Sequence, residues 1–490
     1  MPVNHWSMEY LSLLQSRGFV NDLHPTQLPW QYAEIQNAIS RINPDELSAV
    51  ERYWYETLTA HYLRDSDHNY AFDSEVKLSR YNSDREELLR PRGQGRSLTP
   101  AARVGVRYSY QNWSVRTGLT VDLAYAQDPD GLDLSHRLLG RTEDYYLMYH
   151  SPRLSVSFGR YDRHWGVWNR PAAMLSNNPR SFDAVSFRFG GKRFSVSSIW
   201  GQLDNLSATG SYFSRDRFEP GAKRRFISLH RFDWSPLPNL RFSFMEGVIY
   251  AGEQTGVELE YMNPLPLWVI SQDGDPKNVY ANLVIGGMAW WQFRDWTFHG
   301  EVFLDDIVVN EREEAQARRD FKPAAMALVL HAERTGILDE FDIGGGYQLV
   351  SSTSYRSELF MGQWTYAQRG IGTNFSDYVQ IDAFIRWHAG RYVPGLMIEP
   401  YIEHLLQGEG DVRLPQSVTM PDGQNIPFVL SGTVAEHLRL AIRARYRYQS
   451  YWAELDWGVN QISNRDHIQG FEENLFIGRI TIGGSLEIRR

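Results

Sequence analysis

At 490 residues the chain is long enough for several soluble domains, yet aromatics supply 14% of it, with 16 Trp and 27 Tyr, while charged residues make up only 22%. It contains no cysteine, which excludes disulfides, Cys-ligated metals and thiol nucleophiles, and a net charge of −9 gives no basis for nucleic-acid binding. No stretch approaches the run of about 18 apolar residues that a transmembrane helix needs.

The N-terminal part reads as helix. Trp6, Tyr10, Leu13 and Leu14 fall at i, i+4, i+7 and i+8 on one helical face. Pro25 and Pro29 interrupt, and a second helical run covers about Trp30 to Ile42. Asn43-Pro44-Asp45-Glu46 has the form of an N-cap followed by proline and an acid, so a third helix is expected to start there and run to about Leu63. Three short helices make a weak domain, and they are expected to pack on the rest.

From about Tyr70 the period becomes two. In Trp113–Leu123, Trp113, Val115, Thr117, Leu119, Val121 and Leu123 share one face, and Ser114, Arg116, Gly118, Thr120 and Asp122 the other. Similar runs recur near 145–149, 154–158, 183–189, 193–202, 225–234, 281–293, 296–306, 323–333, 339–350, 356–367, 378–388, 394–405, 436–448, 451–461 and 474–488. Near the C-terminus Leu438, Leu440, Ile442, Ala444, Tyr446 and Tyr448 oppose Arg439, Arg443, Arg445 and Arg447. One arginine facing lipid at the midplane costs about 2–4 kcal/mol, so that row must face a wet lumen. Glu454 and Asp456, returning after the Gln449-Ser450 turn, are placed to meet it.

This pattern predicts an all-β transmembrane barrel with about eighteen antiparallel strands, rich in aromatics because barrels carry girdles at both water–lipid boundaries. Short turns at Gln111-Asn112, Ser151-Pro152 and Gly190-Gly191 alternate with long connections near 80–101, 125–142, 161–182 and 204–224. The alternation of turn lengths fails between about 250 and 355, which leaves the count at about eighteen to twenty. Residues 1–66 are expected to form a small helical bundle on the periplasmic side, and 67–490 the outer-membrane barrel. No apolar stretch follows Met1-Pro2-Val3-Asn4, so the chain reads as a mature form with a replacement methionine.

The densest chemistry lies in Gly159-Arg160-Tyr161-Asp162-Arg163-His164-Trp165-Gly166-Val167-Trp168 and Leu175-Ser176-Asn177-Asn178-Pro179-Arg180. Arg160, Asp162, His164 and Asn177 supply donors and acceptors, while Trp165 and Trp168 supply flat apolar faces. That mixture suits sugars, although the same residues would also serve as struts of a folded-in loop. His299, Glu301 and Asp305 lie on one strand face with Asp306 beside them. Carboxylates four positions apart in a strand are roughly 13 Å apart. That is too far for the roughly 5–9.5 Å glycosidase geometries, so lumen polarity or pairing with an arginine is expected. Glu258–Pro266 reads as a strand end and a Pro-rich loop. No Walker loop, HExxH, GxSxG or dinucleotide fingerprint occurs, so neither enzyme activity, metal nor cofactor is expected.

These segments resemble the Wzi-like capsule assembly family of outer-membrane proteins. Its Gly-Arg-x-Asp-x-x-Trp-Gly signature is matched at Gly159, Arg160, Asp162, Trp165 and Gly166, with Leu175-Ser176-Asn177-Asn178 as the element that follows. Tyr261-x-Asn263-Pro264, Glu301 with Asp305-Asp306, and Leu28-Pro29-Trp30 look like further family blocks. Two features depart from the family: Val167-Trp168 stands where Pro-Gly is common, and the chain closes on Glu487-Ile488-Arg489-Arg490 in place of a terminal aromatic.

The resemblance implies a barrel with a helical bundle on the periplasmic side and a lectin-like role at the bacterial outer membrane, holding exported or capsular polysaccharide at the cell. Lipid is then an expected partner, and periplasmic or export-machinery proteins are candidate partners of the helices. The competing reading is a porin passing small polar solutes or oligosaccharides through the Arg-lined lumen.

Overall fold

The computed structural model describes residues 2–63, 69–82, 98–123, 140–207, 221–253, 255–264, 267–268, 280–306, 324–373, 375–417 and 425–489. Most of the long connections expected near 80–101, 125–142 and 204–224, and Leu265-Pro266, lie outside the described residues.

The strands form one 18-stranded sheet in which each strand pairs with its neighbours in sequence. Strand Tyr70–Tyr81 closes it by pairing antiparallel with the last strand, Glu472–Arg489. Closure satisfies every strand edge, as a sheet in lipid requires. The outer face carries the apolar half of each alternating run: Val104, Val106, Leu119, Leu440, Ile442, Val459, Ile480 and Ile482 are all exposed. Exposed aromatics flank the tight turns, with Tyr110 and Trp113 at one, Phe293 and Trp296 at another, and Tyr448 and Tyr451 at a third. They form a girdle at the short-turn end.

The first residues fold into α1 (Ser7–Ser16), α2 (Tyr32–Ile39) and α3 (Ala49–Tyr62). Leu11, Leu14, Ile35, Ile39, Leu58 and Tyr62 are among the side chains that build their shared core. The helices sit in the short-turn mouth of the barrel. Arg17 donates to the carbonyl of Asp339, in a tight turn, and pairs with Asp342 on the wall at 3.0 Å and Glu51 of α3 at 3.1 Å. On the other sides Arg231, wholly buried, donates to Thr26 O at 2.7 Å, and Glu9 meets Arg445 at 2.9 Å.

Two sequence expectations need correction. The alternating run at 356–367 is not a wall strand; it lies in an inward loop and contributes only a short hairpin, Thr365–Tyr366 with Arg369–Gly370. Strand Leu240–Gly252, absent from the alternating runs, is part of the wall, and it ends before Glu258. Along its second half it is buried continuously, through Met245, Val248, Ile249 and Ala251. An apolar inner face erases the two-residue period there.

Candidate functional site

Between strands Leu154–Arg160 and Asp183–Gly190 the chain dives into the lumen. Gly159 makes the departure possible: its φ is +138°, and a Cβ there would stand 2.2 Å from the carbonyl oxygen of Tyr145. Arg160 and Asp183, opposite each other in register, form an ion pair that closes the neck of the loop. Arg163 then ties the loop together. It lies 3.9 Å above the Tyr161 ring and donates to the Gly159, Tyr161 and Phe182 carbonyls and the Ser186 hydroxyl.

The six sequence-predicted residues part company here. Arg160 is at the neck. His164 is buried and exchanges backbone hydrogen bonds with Leu28 at 2.9 and 3.1 Å. Trp165 is also buried, in the apolar core of the loop, with its backbone N–H donating to Leu175 O. Asp162, Trp168 and Asn177 converge instead on the N-terminal segment. The Asn4 amide donates to Asp162 at 3.5 Å, Asn177 donates to Asn4 at 3.3 Å, and the Trp168 indole donates to Val3 O at 3.1 Å. Burial beside Glu143 and Asp144 pushes the Asp162 carboxyl up to about 6.

A second inward loop, 351–377, packs against the first. The Trp364 indole donates to Met174 O, the Tyr355 hydroxyl to Ala173 O, and the Ser176 N–H to Ile371 O. Both loops hang on wall carboxylates: Glu301 accepts the Met174 N–H at 2.9 Å, and Asp305 accepts the Tyr355 N–H at 3.1 Å. The sequence predicts lumen polarity or pairing with an arginine for these acids; each also carries loop backbone. The Asp306 side chain lies outside the described residues. Trp165, Leu175, Phe182, Trp364 and Tyr366 join Ile227, Leu229, Met245 and Ile249 of the wall in one apolar core. That half of the lumen is dry.

The other half is wet and charged. Arg439 meets Asp456 at 2.6 Å, and Arg443 bridges Glu399 at 2.9 Å and Asp456 at 3.2 Å. Arg386 continues the chain to Glu399 and Glu333, both at 2.7 Å. Rings lie among these charges: Phe384 sits 4.8 Å from the Arg170 guanidinium and 4.7 Å from that of Arg386, and Tyr401 lies 4.9 Å from that of Arg443. A cavity of about 520 Å³ opens here, and a second, of about 510 Å³, lies against the N-terminal helices, with Glu9, Leu13, Trp168, Arg445 and Glu454 lining both. Their size and their mixture of both charge signs with aromatic faces suit a polyhydroxylated ligand of a few rings. Sequence reading found Arg439, Arg443, Arg445, Glu454 and Asp456 by their alternation. It missed Arg163, Arg170, Arg386 and Glu399, because their partners lie on other strands and on the loop.

Residues 89–282 match the family model described as capsule assembly protein Wzi, a stretch that holds the whole first inward loop. The solved structure of Escherichia coli Wzi, an outer-membrane protein involved in group 1 capsule assembly and a carbohydrate-binding barrel, superposes over 99% of this chain and 98% of its own, with a TM-score of 0.66 at 11% identity. The chain has the fold of the Wzi barrel. The Wzi-like fold extends beyond the matched stretch to the N-terminal helices and to strand Glu472–Arg489, since the superposition covers both. Acinetobacter baumannii OccAB2 and Pseudomonas aeruginosa OprD are more distant, with TM-scores of 0.48 and 0.46 at 10% identity, each over 86% of this chain and 98% and 96% of theirs. No curated protein sequence matches the chain. The exposed apolar outer face is what a barrel wall in contact with lipid requires.

Proposed function

We propose that this protein binds exported polysaccharide at the outer membrane and takes part in attaching or assembling a capsule or similar surface glycan, without catalysing a reaction on it. The supporting observation is the lumen itself: among the described residues, two inward loops and the N-terminal helices pack into it and leave a charged, aromatic-lined space. The Wzi family block and fold point the same way. Trp168, Asp162 and Asn177 are the proposed contacts or the immediate wall of the site, with Arg160, His164 and Trp165 as the support that holds them.

The helices are assigned to the periplasmic side because they share an end with the tight turns, and membrane barrels keep their short turns there. In that orientation they are exposed to periplasmic or export-machinery partners.

A Trp165→Ala, Trp168→Ala double variant should lose cell-surface polysaccharide while its barrel remains heat-modifiable on gels. Undiminished capsule retention would remove the binding assignment. The porin reading is tested separately in planar bilayers, where a filled lumen should give no steady open-channel current.

A further inference from the structure

We propose that the glycan bound by this barrel is acidic, and that Arg107 and Arg447 hold its anionic groups, carboxylate or phosphate, in the 510 Å³ cavity beside the helices. This rests on the polysaccharide-binding reading above and adds the chemistry that selects the ligand. Around this cavity most arginines come with an acid: Arg445 meets Glu9 at 2.9 Å, Arg116 meets Asp73 at 2.6 Å, and Arg103 pairs with Asp144. Arg107 and Arg447 line the same cavity, half-buried, and no carboxylate pairs with either among the described residues. Each lies over a ring instead, Arg107 at 4.3 Å from the Tyr32 centroid and Arg447 at 4.8 Å from that of Trp6. A ring face attracts a guanidinium without consuming its in-plane N–H donors. Those donors form the planar fork that matches a carboxylate or phosphate.

The imidazoles of the same cavity register its positive charge. Burial holds His5 well below its ordinary value, and His61, Arg103 and Arg447 push the same way. At His61, held down to about 4, burial acts first; Glu487 pulls against it, while Arg489, Arg107 and Arg447 push with it. Both rings are therefore neutral at pH 7, and the arginines supply the charge. Glu75 also lines the cavity and has no ion pair among the described residues, so it opposes the ligand: two spare arginines face one spare acid. The 520 Å³ space differs. There Arg170, Arg386, Arg439 and Arg443 are all paired with acids, which suits the uncharged part of a sugar chain. Trp168, Arg445 and Glu454 line both spaces, so one oligosaccharide can touch the two.

The test titrates the full chain, purified in detergent at low salt, with oligogalacturonate and with the same oligosaccharide after carboxyl reduction, by calorimetry. The acidic form should bind about tenfold or more tightly, and the advantage should shrink in high salt. Arg107→Gln and Arg447→Gln should each remove most of that preference and leave affinity for the reduced form unchanged. Glu75→Gln should enlarge it, a change of opposite sign that damage to the fold does not produce, and heat-modifiability confirms that each variant is folded. Inorganic phosphate is titrated alone: uptake that the arginine variants lose, without a preference for oligogalacturonate, makes phosphate the group recognised. Equal affinity for the acidic and reduced forms with no phosphate uptake would overturn the proposal and leave polysaccharide binding standing. A preference that survives both arginine variants would overturn it as well, and failure of either oligosaccharide to bind would count against both readings.

Discussion

Gly159 shows how one residue decides whether a strand continues along the wall or turns inward. Its left-handed φ and the 2.2 Å approach to the Tyr145 carbonyl leave no room for a side chain. Gly159→Ala should cost about 1–3 kcal/mol in backbone strain alone, with the steric clash in addition. The measurement is the temperature at which the folded band is lost on a gel; a melting point equal to the parent's would show that the neck is not strained. The motif around this glycine was conspicuous in the sequence, but its division of labour was not. Arg160, His164 and Trp165 support the loop, and Asp162, Trp168 and Asn177 reach the N-terminal segment. Residue types revealed an unusual polar and aromatic loop; only the inward path of the chain decides which side chains become struts.

Among the elements, the helices were legible and their boundaries less so. Asn43 caps only the short 3-10 turn Pro44–Glu46, because Leu47 is extended and stops it. Helix α3 begins one signal later, where Ser48 accepts from the Glu51 N–H and the Glu51 side chain reaches back in a reciprocal capping box. Both stretches show a cap residue followed three positions on by an acid, so sequence alone does not rank them. Ser48→Ala should lower the stability of the docked helices by about 1 kcal/mol, with Asn43→Ala costing a fraction of that. Equal losses measured by chemical denaturation would contradict the assignment.

The connection between α1 and α2 carries a pH response outside the wall. Burial holds the His24 imidazole down to about 3, and Arg241 and Arg231 reinforce this against the opposing pull of Asp233. The docked His24 is thus neutral where the released one, with an ordinary value near 6.5, takes up a proton. Docking stability should be complete above that value and decline as pH falls from about 6.5 toward 3. Trp30, whose indole donates to His24 O at 2.6 Å, provides the fluorescence readout. A signal unchanged across that window would count against the coupling, and His24→Gln should flatten it.

For the whole molecule, the closed antiparallel wall was the most legible feature, because lipid on one side and water on the other impose a strict two-residue alternation. The reading went astray where that condition fails. Strand Leu240–Gly252 faces apolar loop instead of water, and 356–367 alternates without touching lipid at all. Replacing 353–373 with a short Gly-Ser linker should uncover the apolar half of the lumen and produce stepwise conductance where the parent barrel should show none. Silent bilayers from a folded variant would mean that the remaining plug seals the barrel unaided.

That dry half has a thermodynamic consequence. An ordinary membrane barrel takes most of its apolar contact from lipid, whereas Trp165, Leu175, Trp364 and their neighbours are sequestered from water by protein alone. Their association should carry the heat-capacity signature of a soluble globule and weaken toward low temperature, while the hydrogen-bonded wall remains indifferent. Chilling should therefore loosen the interior first, giving an intact cylinder with slack contents.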